Sequence, residues 1–277
     1  MTKQTDPALP LEVNPLLEEL LKGVRVALGG QFVGLALDGS LANGDFDRDS
    51  DVDFVVVTKD EISPETFAAL DKMHRRISKL ALPFATQLEG SYLSRKAIWK
   101  HDPALTLHPN LERGENERLK WAEHGEDWAV HRFVLRERGI TLEETDFKTL
   151  ISPVLPDDLK RAMHLNLIEW AIPLLSTPAN LASRGYASFV VLSLCRILYT
   201  LRYSDVVSKV VAARWAKTVL EARWTKLIDA AWEGRHNPDT PSSPKEISET
   251  MDFIRTIVEL SALDFSLSLP QSESERA

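Results

Sequence analysis

Apolar residues in the first half of the chain change period several times. Across residues 15–30, PLLEELLKGVRVALGG, leucines recur at three- and four-residue spacing, which predicts an amphipathic helix stopped by Gly29 and Gly30. Residues 31–37, QFVGLAL, form a short apolar run of strand length. A polar loop, DGSLANGDFDRDS, leads to residues 51–58, DVDFVVVT, whose three consecutive valines after alternating acids make the strongest strand of the chain. Residues 63–81 predict a helix with Ser63 as N-cap, Pro64 as its first residue and Glu65 in its first turn. Beyond Pro83, FATQLEGSYL is a further strand candidate. Strand–helix–strand order implies an α/β unit around a central sheet.

From about Pro156 only helical spacing remains. DDLKRAMHLNLIEWAIPLL, RGYASFVVLSLCRILYTLRY, SDVVSKVVAARWAKTVL and SPKEISETMDFIRTIVELSAL each carry an apolar stripe, with Ser204 and Ser243 at N-cap positions. Such segments bury their stripes against one another as a bundle. Residues 234–244, GRHNPDTPSSP, are the clear Pro/Ser/Gly-rich connection, and LPQSESERA is expected to be a frayed tail. The expected class is α+β, with an α/β domain over residues 1–155 and an α-helical bundle over 156–277. The boundary falls near 153–157.

A length of 277 residues accommodates two domains at roughly 150 residues each. Hydrophobic residues make up 44% of the chain, enough for sizeable cores, which excludes wholesale disorder. Acids outnumber Lys and Arg by 41 to 33, a net charge of −8. That balance suits a phosphate backbone poorly and a cationic small molecule better, so no nucleic-acid partner is expected. Cys195 is the single cysteine, which excludes a disulfide framework or a Cys-rich zinc site. No apolar stretch reaches the ~18 residues of a membrane span. The first thirty residues carry acids and lack a signal-peptide core. A soluble, cytoplasmic protein without membrane association is expected.

The chemically distinctive segment is residues 39–53, with aspartates at 45, 47, 49, 51 and 53. A calcium EF-hand needs Gly at its sixth position and Glu at its twelfth. Counting from Asp45 gives Ser50 and Val56, and from Asp47 gives Val52 and Thr58. Neither register fits. Asp51 and Asp53 stand two apart at the head of a strand, so their carboxylates share a face. Two anions so placed repel unless a cation lies between them, and oxygen ligands without His or Cys favour Mg2+ over zinc. Gly39 and Ser40 follow directly on a strand, where a tight turn can aim amides and a hydroxyl at phosphate oxygens. These are the parts of a nucleotidyl- or phosphoryl-transfer site. D-x-D alone also fits a solvated acidic edge, the role expected of Asp45, Asp47 and Asp49.

Gly-Ser, a spacer, then Ser-Asp-Val-Asp-Phe leading into a valine-rich strand resembles the signature of the nucleotidyltransferase superfamily that includes DNA polymerase β. QLEGSYL, VLRERGITL, LISPVLPDDL and LCRILYTLRYSDVVSKVVAARWA extend the likeness over about 15–262, where the chain is similar to the aminoglycoside 3''-adenylyltransferases. The resemblance implies a mixed sheet in the first domain and transfer of AMP from ATP to a hydroxyl of a small acceptor, with release of pyrophosphate. It implies Mg2+ on Asp51 and Asp53, with Glu89 as a third metal residue, and phosphate contacts from Gly39, Ser40 and Ser50. Glu89 matches the carboxylate that takes the proton of the acceptor hydroxyl, a weak nucleophile that needs such a base. Arg196 and Lys209 match the triphosphate-binding cations, and Trp232 lies near an aromatic in contact with the nucleotide. Without the family, Arg196 could equally pair with Asp158 or Glu169, Lys209 could be a solvated lysine, and Trp232 a packing residue.

The acceptor side departs from the pattern. Members that modify streptomycin carry acids, a tryptophan and a histidine around the arginine helix. Here neither acid nor His occurs between Ser176 and Ile197, and Tyr186 and Phe189 occupy that turn. Spectinomycin, smaller and less charged, is the expected antibiotic. The alternatives are another hydroxyl acceptor, such as a protein, or a non-catalytic nucleotide-binding module. The seven histidines show no metal spacing. Asp127 is expected to cap the helix after it, and Cys195 to be buried.

Overall fold

Continuous burial along residues 54–58 sets the frame of the first half. The computed structural model describes residues 9–143 and 145–268, and the tail 269–277 lies outside them. The chain divides into two compact units, Met1–Leu155 and Pro156–Ala277. In the first, the strands are β1 (Phe32–Leu37), β2 (Val52–Thr58), β3 (Leu88–Ser94), β4 (Leu107–Leu111), β5 (Lys120–Glu123) and β6 (Ile140–Thr141). They form one mixed sheet of order β5-β4-β3-β2-β1-β6, in which only β2 and β3 run parallel.

The valine run is central because it is buried on both faces. Val52, Phe54 and Val56 join Leu35, Leu37 and Tyr92 beneath α1 (Asn14–Leu28) and α3 (Pro64–Ile77). Val55 and Val57 join Ala36 and Leu93 on the opposite face. That face is covered by α4 (Arg95–Trp99), α5 (Ala129–Glu137) and α6 (Phe147–Leu150), through Ile98, Leu135 and Phe147. A parallel pair needs a crossover, and α3 supplies it between β2 and β3. Its start follows the sequence: the Ser63 hydroxyl accepts from the Thr66 amide ahead of Pro64. The β4–β5 pair shows no period-two pattern, since β4 contains Pro109 and β5 is largely polar.

His74 is a core histidine. Its Nε2 lies 2.6 Å from the Tyr92 hydroxyl, and its ring stacks on Phe54 at 5.6 Å. Burial pushes its pKa down from 6.5 to about 3, with Asp71 opposing the shift. The folded state therefore resists a proton that the unfolded chain accepts below about pH 6.5, so stability is full above that pH and declines below it. Between pH 7.5 and 5.5 the wild type should lose about 1.4 kcal/mol more than His74→Gln, measured as urea unfolding free energies. Equal losses would remove His74 as the cause.

Among the described residues, the named elements of the second unit are all helices. α7 (Pro156–Asn166) widens into a π turn at Leu167–Ala171 and resumes as α8 (Ile172–Leu174), where one uninterrupted helix was expected. Pro173 explains the widening, since its ring lacks an N–H and crowds the carbonyl four residues back. α9 (Arg184–Tyr203) is buried along most of its circumference and packs against α7, α10 (Lys209–Val219), α11 (Arg223–Gly234) and α12 (Pro244–Ser268). Cys195 is buried, and among the described residues no helix is long and apolar enough to cross a membrane.

Ser243 caps α12 in a reciprocal box: its hydroxyl accepts from the Glu246 amide while Glu246 accepts from the Ser243 amide. Ser204, expected as a cap of the next helix, instead ends α9 in the left-handed region at φ 52°. Ser208 is the cap of α10, accepting from the Val211 amide. Ser208→Ala should therefore cost about 1 kcal/mol, while Ser204→Gly should be neutral or stabilising because glycine tolerates positive φ. Denaturant midpoints that fall equally in both variants would contradict this assignment.

Candidate active site

Chain direction gathers the acids. β1 runs antiparallel to β2, so its C-terminal end meets the start of β2, and β3 begins beside it in parallel. The register sets Asp53 directly opposite Glu89. By alternation, Asp51 and Asp53 share the face of Val55 and Val57, and Glu89 that of Leu93. Asp38, two residues after buried Ala36, joins them. One face of the sheet thus carries four carboxylates where three strands converge.

The Asp53 carboxyl is pushed up to about 7, first by burial and then by the charges of Asp38, Asp51 and Glu89, with His131 opposing. Glu89 is also raised, by burial first and by Asp51, while Arg113 and His131 pull the other way. The Arg113 guanidinium bonds the Asp51 carboxylate, and His131 Nδ1 lies 2.7 Å from Asp38 Oδ2. Among the described residues, no three His, Cys, Asp or Glu side chains close around a common point that could hold a metal ion. The chemistry of the donors nevertheless fits Mg2+. They are all carboxylate oxygens, and the repulsion that raises Asp53 is what a hard divalent cation relieves.

Gly39 begins α2 (Gly39–Asn43) at φ 59°, and any side chain there would overlap Asp53 Oδ2. Glycine at this turn is what lets the carboxylate come up against the backbone. The Ser40 hydroxyl oxygen is buried with no partner among the described residues, a costly state for an oxygen that a phosphate would satisfy. Ser50 differs from expectation. Its hydroxyl donates to Asp47 Oδ1 at 3.1 Å and accepts from the Asp47 amide at 3.0 Å, so it is committed to its own loop. Asp47 likewise organises this turn, accepting from the Asp49 amide at 3.0 Å, instead of serving only as solvated charge.

The remaining expected residues lie in the second unit. Arg196 is half-buried on α9, and Lys209 is the first residue of α10, its ammonium 4.6 Å from the centre of the Phe189 ring. Trp232 is half-buried near the end of α11 under the Arg235 guanidinium, 4.4 Å away. Three site residues escaped the sequence reading: Asp38, Arg113 and His131. Asp38 had a local signal, as the next inward position after Ala36 on β1. The other two lie far away in sequence and had none. Asp127 is not the cap expected of it. It falls inside a 3-10 turn, Glu126–Trp128, and α5 starts without a side-chain cap. The histidine reading also needs correction at His131, which the fold brings to the acids.

Two family descriptions match the chain: a nucleotidyltransferase domain over residues 17–121 and an aminoglycoside adenylyltransferase C-terminal domain over residues 149–259. A spectinomycin 9-adenylyltransferase of Campylobacter jejuni is 24% identical over 266 residues, covering 90% of this chain and 98% of the relative. One from Staphylococcus aureus (strain Mu50 / ATCC 700699) is 27% identical over 223 residues, 78% of this chain and 82% of its own. The fold is similar to the crystal structure of spectinomycin adenyltransferase AAD(9) from Enterococcus faecialis with ATP and spectinomycin. The TM-score is 0.72 at 14% identity, covering 89% of this chain and 99% of that one.

Proposed function

A member of the aminoglycoside adenylyltransferase-like nucleotidyltransferases, this chain, we propose, transfers AMP from ATP to a hydroxyl of spectinomycin and releases pyrophosphate. The observation that carries the chemistry is the register of β2 and β3, which pairs Asp53 with Glu89 beside the Gly39–Ser40 turn. Two considerations favour spectinomycin. The relatives carry its name, and the stretch between Ser176 and Ile197 lacks acids and histidine for a more cationic antibiotic. Those relatives act at the 9-position, so the hydroxyl is read as 9 and not 3'', the type first inferred from the sequence.

Glu89 is the base. Its carboxylate takes the proton of the acceptor hydroxyl as the oxygen bonds to the α-phosphorus, and the bond to the β-phosphate oxygen breaks. Asp51 and Asp53 hold Mg2+, with Glu89 beside them. When bound, the ion neutralises triphosphate charge and aligns the leaving group. The amides of the Gly39–Ser40 turn and the Ser40 hydroxyl receive phosphate oxygens. By the family likeness alone, Arg196 and Lys209 are read as triphosphate-binding cations and Trp232 as an aromatic for the nucleotide. Ser50 steadies the loop before Asp51, and a phosphate contact would require its O–H to leave Asp47 Oδ1. ATP is an intracellular metabolite, so the site of action is the cytoplasm.

Pyrophosphate release from Mg-ATP tests this directly, with spectinomycin, with streptomycin and with no acceptor. Release only with spectinomycin is expected, and a nucleotide adduct on the drug by mass spectrometry should accompany it. Tight Mg-ATP binding without release in any arm would overturn the acceptor assignment. AMP recovered on a protein instead would identify a macromolecular acceptor.

A further inference from the structure

We propose that His131 is a positioning residue of the nucleotide site, holding the Asp38 carboxylate away from the amides of the Gly39–Ser40 turn so that they stay open to phosphate. The inference rests on the reading above that the turn receives the triphosphate.

Asp38 presents an anomaly. It stands at the N-cap position of α2 with extended backbone, φ −118° and ψ −162°, and Asp is among the best capping residues. It nevertheless makes no side-chain cap bond. Elsewhere the same chain uses such residues fully: Ser63, Ser94, Asp146, Ser183 and Ser208 each accept from an amide of the helix they begin. The Asp38 carboxylate has been turned to His131 Nδ1, 2.7 Å away, with the Asp38 side chain 5% exposed.

His131 is itself held in place. It lies on α5 against Trp128, with ring centres 5.0 Å apart, and Trp128 stacks on His124 at 4.2 Å. His124 Nε2 is 3.3 Å from the Ser91 hydroxyl of β3, which also accepts from Asn110 Nδ2 at 2.8 Å. This column ties the start of α5 to the strand that carries Glu89. A buried carboxylate deprived of His131 must find other donors, and the nearest by chain geometry are the amides it is already poised to cap. There it would occupy the phosphate donors and oppose the incoming triphosphate with its own charge.

Three variants separate this role from a merely structural one: His131→Ala, Asp38→Ala and the double variant, each checked for an unchanged thermal midpoint. Mg-ATP affinity is read by calorimetry, and the Ser40 and Leu41 amides by NMR without nucleotide. His131→Ala should weaken Mg-ATP binding about tenfold and shift both amide protons downfield as Asp38 bonds them. In the Asp38→Ala background, adding His131→Ala should cause no further loss of Mg-ATP affinity, and the amide shifts should be gone. A further loss of affinity on adding His131→Ala to Asp38→Ala would overturn the proposal. So would unmoved amides in His131→Ala, whatever the nucleotide result. Failure of the wild type itself to bind Mg-ATP would instead count against the triphosphate reading, while the amide shifts would still decide the role of His131.

Discussion

Glu89→Gln should lower spectinomycin-dependent pyrophosphate release by about 10²–10⁴-fold while leaving Mg-ATP affinity within a few-fold of wild type. The substitution keeps the shape of the side chain and removes only its capacity to take a proton. Burial and the Asp51 charge already raise this carboxyl, so its proton affinity exceeds that of an exposed glutamate and suits a base. Asp53→Asn should behave differently. It removes charge at the centre of the acidic cluster, so nucleotide binding should fall together with turnover. Rapid-quench measurement of AMP transfer alongside calorimetry distinguishes the two patterns. Full activity in Glu89→Gln would remove Glu89 as base, and equal loss of binding in both variants would make it a metal ligand first.

The second large effect is expected at Gly90. A Cβ there would fall well inside van der Waals contact distance of the Phe54 carbonyl oxygen and 2.7 Å from two atoms of its ring. That oxygen belongs to the strand next door, so it cannot retreat without opening the β2–β3 pairing. Overpacking of this kind costs about 1–3 kcal/mol, and a backbone obstacle puts Gly90→Ala at the upper end. Activity should fall further than stability alone explains, because the neighbouring Glu89 moves with the strand. Gly30→Ala is the control, since an added Cβ there meets nothing within 4 Å. Denaturant midpoints that drop equally in the two variants would refute the packing argument.

Local pattern was enough for most of the frame. The valine run, the capped helix at Pro64–Ile77 (four residues shorter at its end than expected) and the helical second half are each specified by spacing and capping chemistry within a few residues. The pair Asp51 and Asp53 was legible for the same reason, since strand geometry alone aligns them. Where local rules failed, a competing contact had won. Ser204 lost the cap to Ser208 because the chain leaves α9 through a left-handed residue. Ser50 was drawn into a turn with Asp47.

The chain by itself therefore determined which strands and helices form and where the acids sit on them. Tertiary structure alone decided which acids meet. Asp53 faces Glu89 only through a parallel register closed by α3, and Arg113 and His131 reach Asp51 and Asp38 across 62 and 93 positions. Side chains separated that far carry no mutual periodicity. What joins them is the folding of α5 and of the β4–β5 connection against the acids, where burial strengthens each charge's hold on the next.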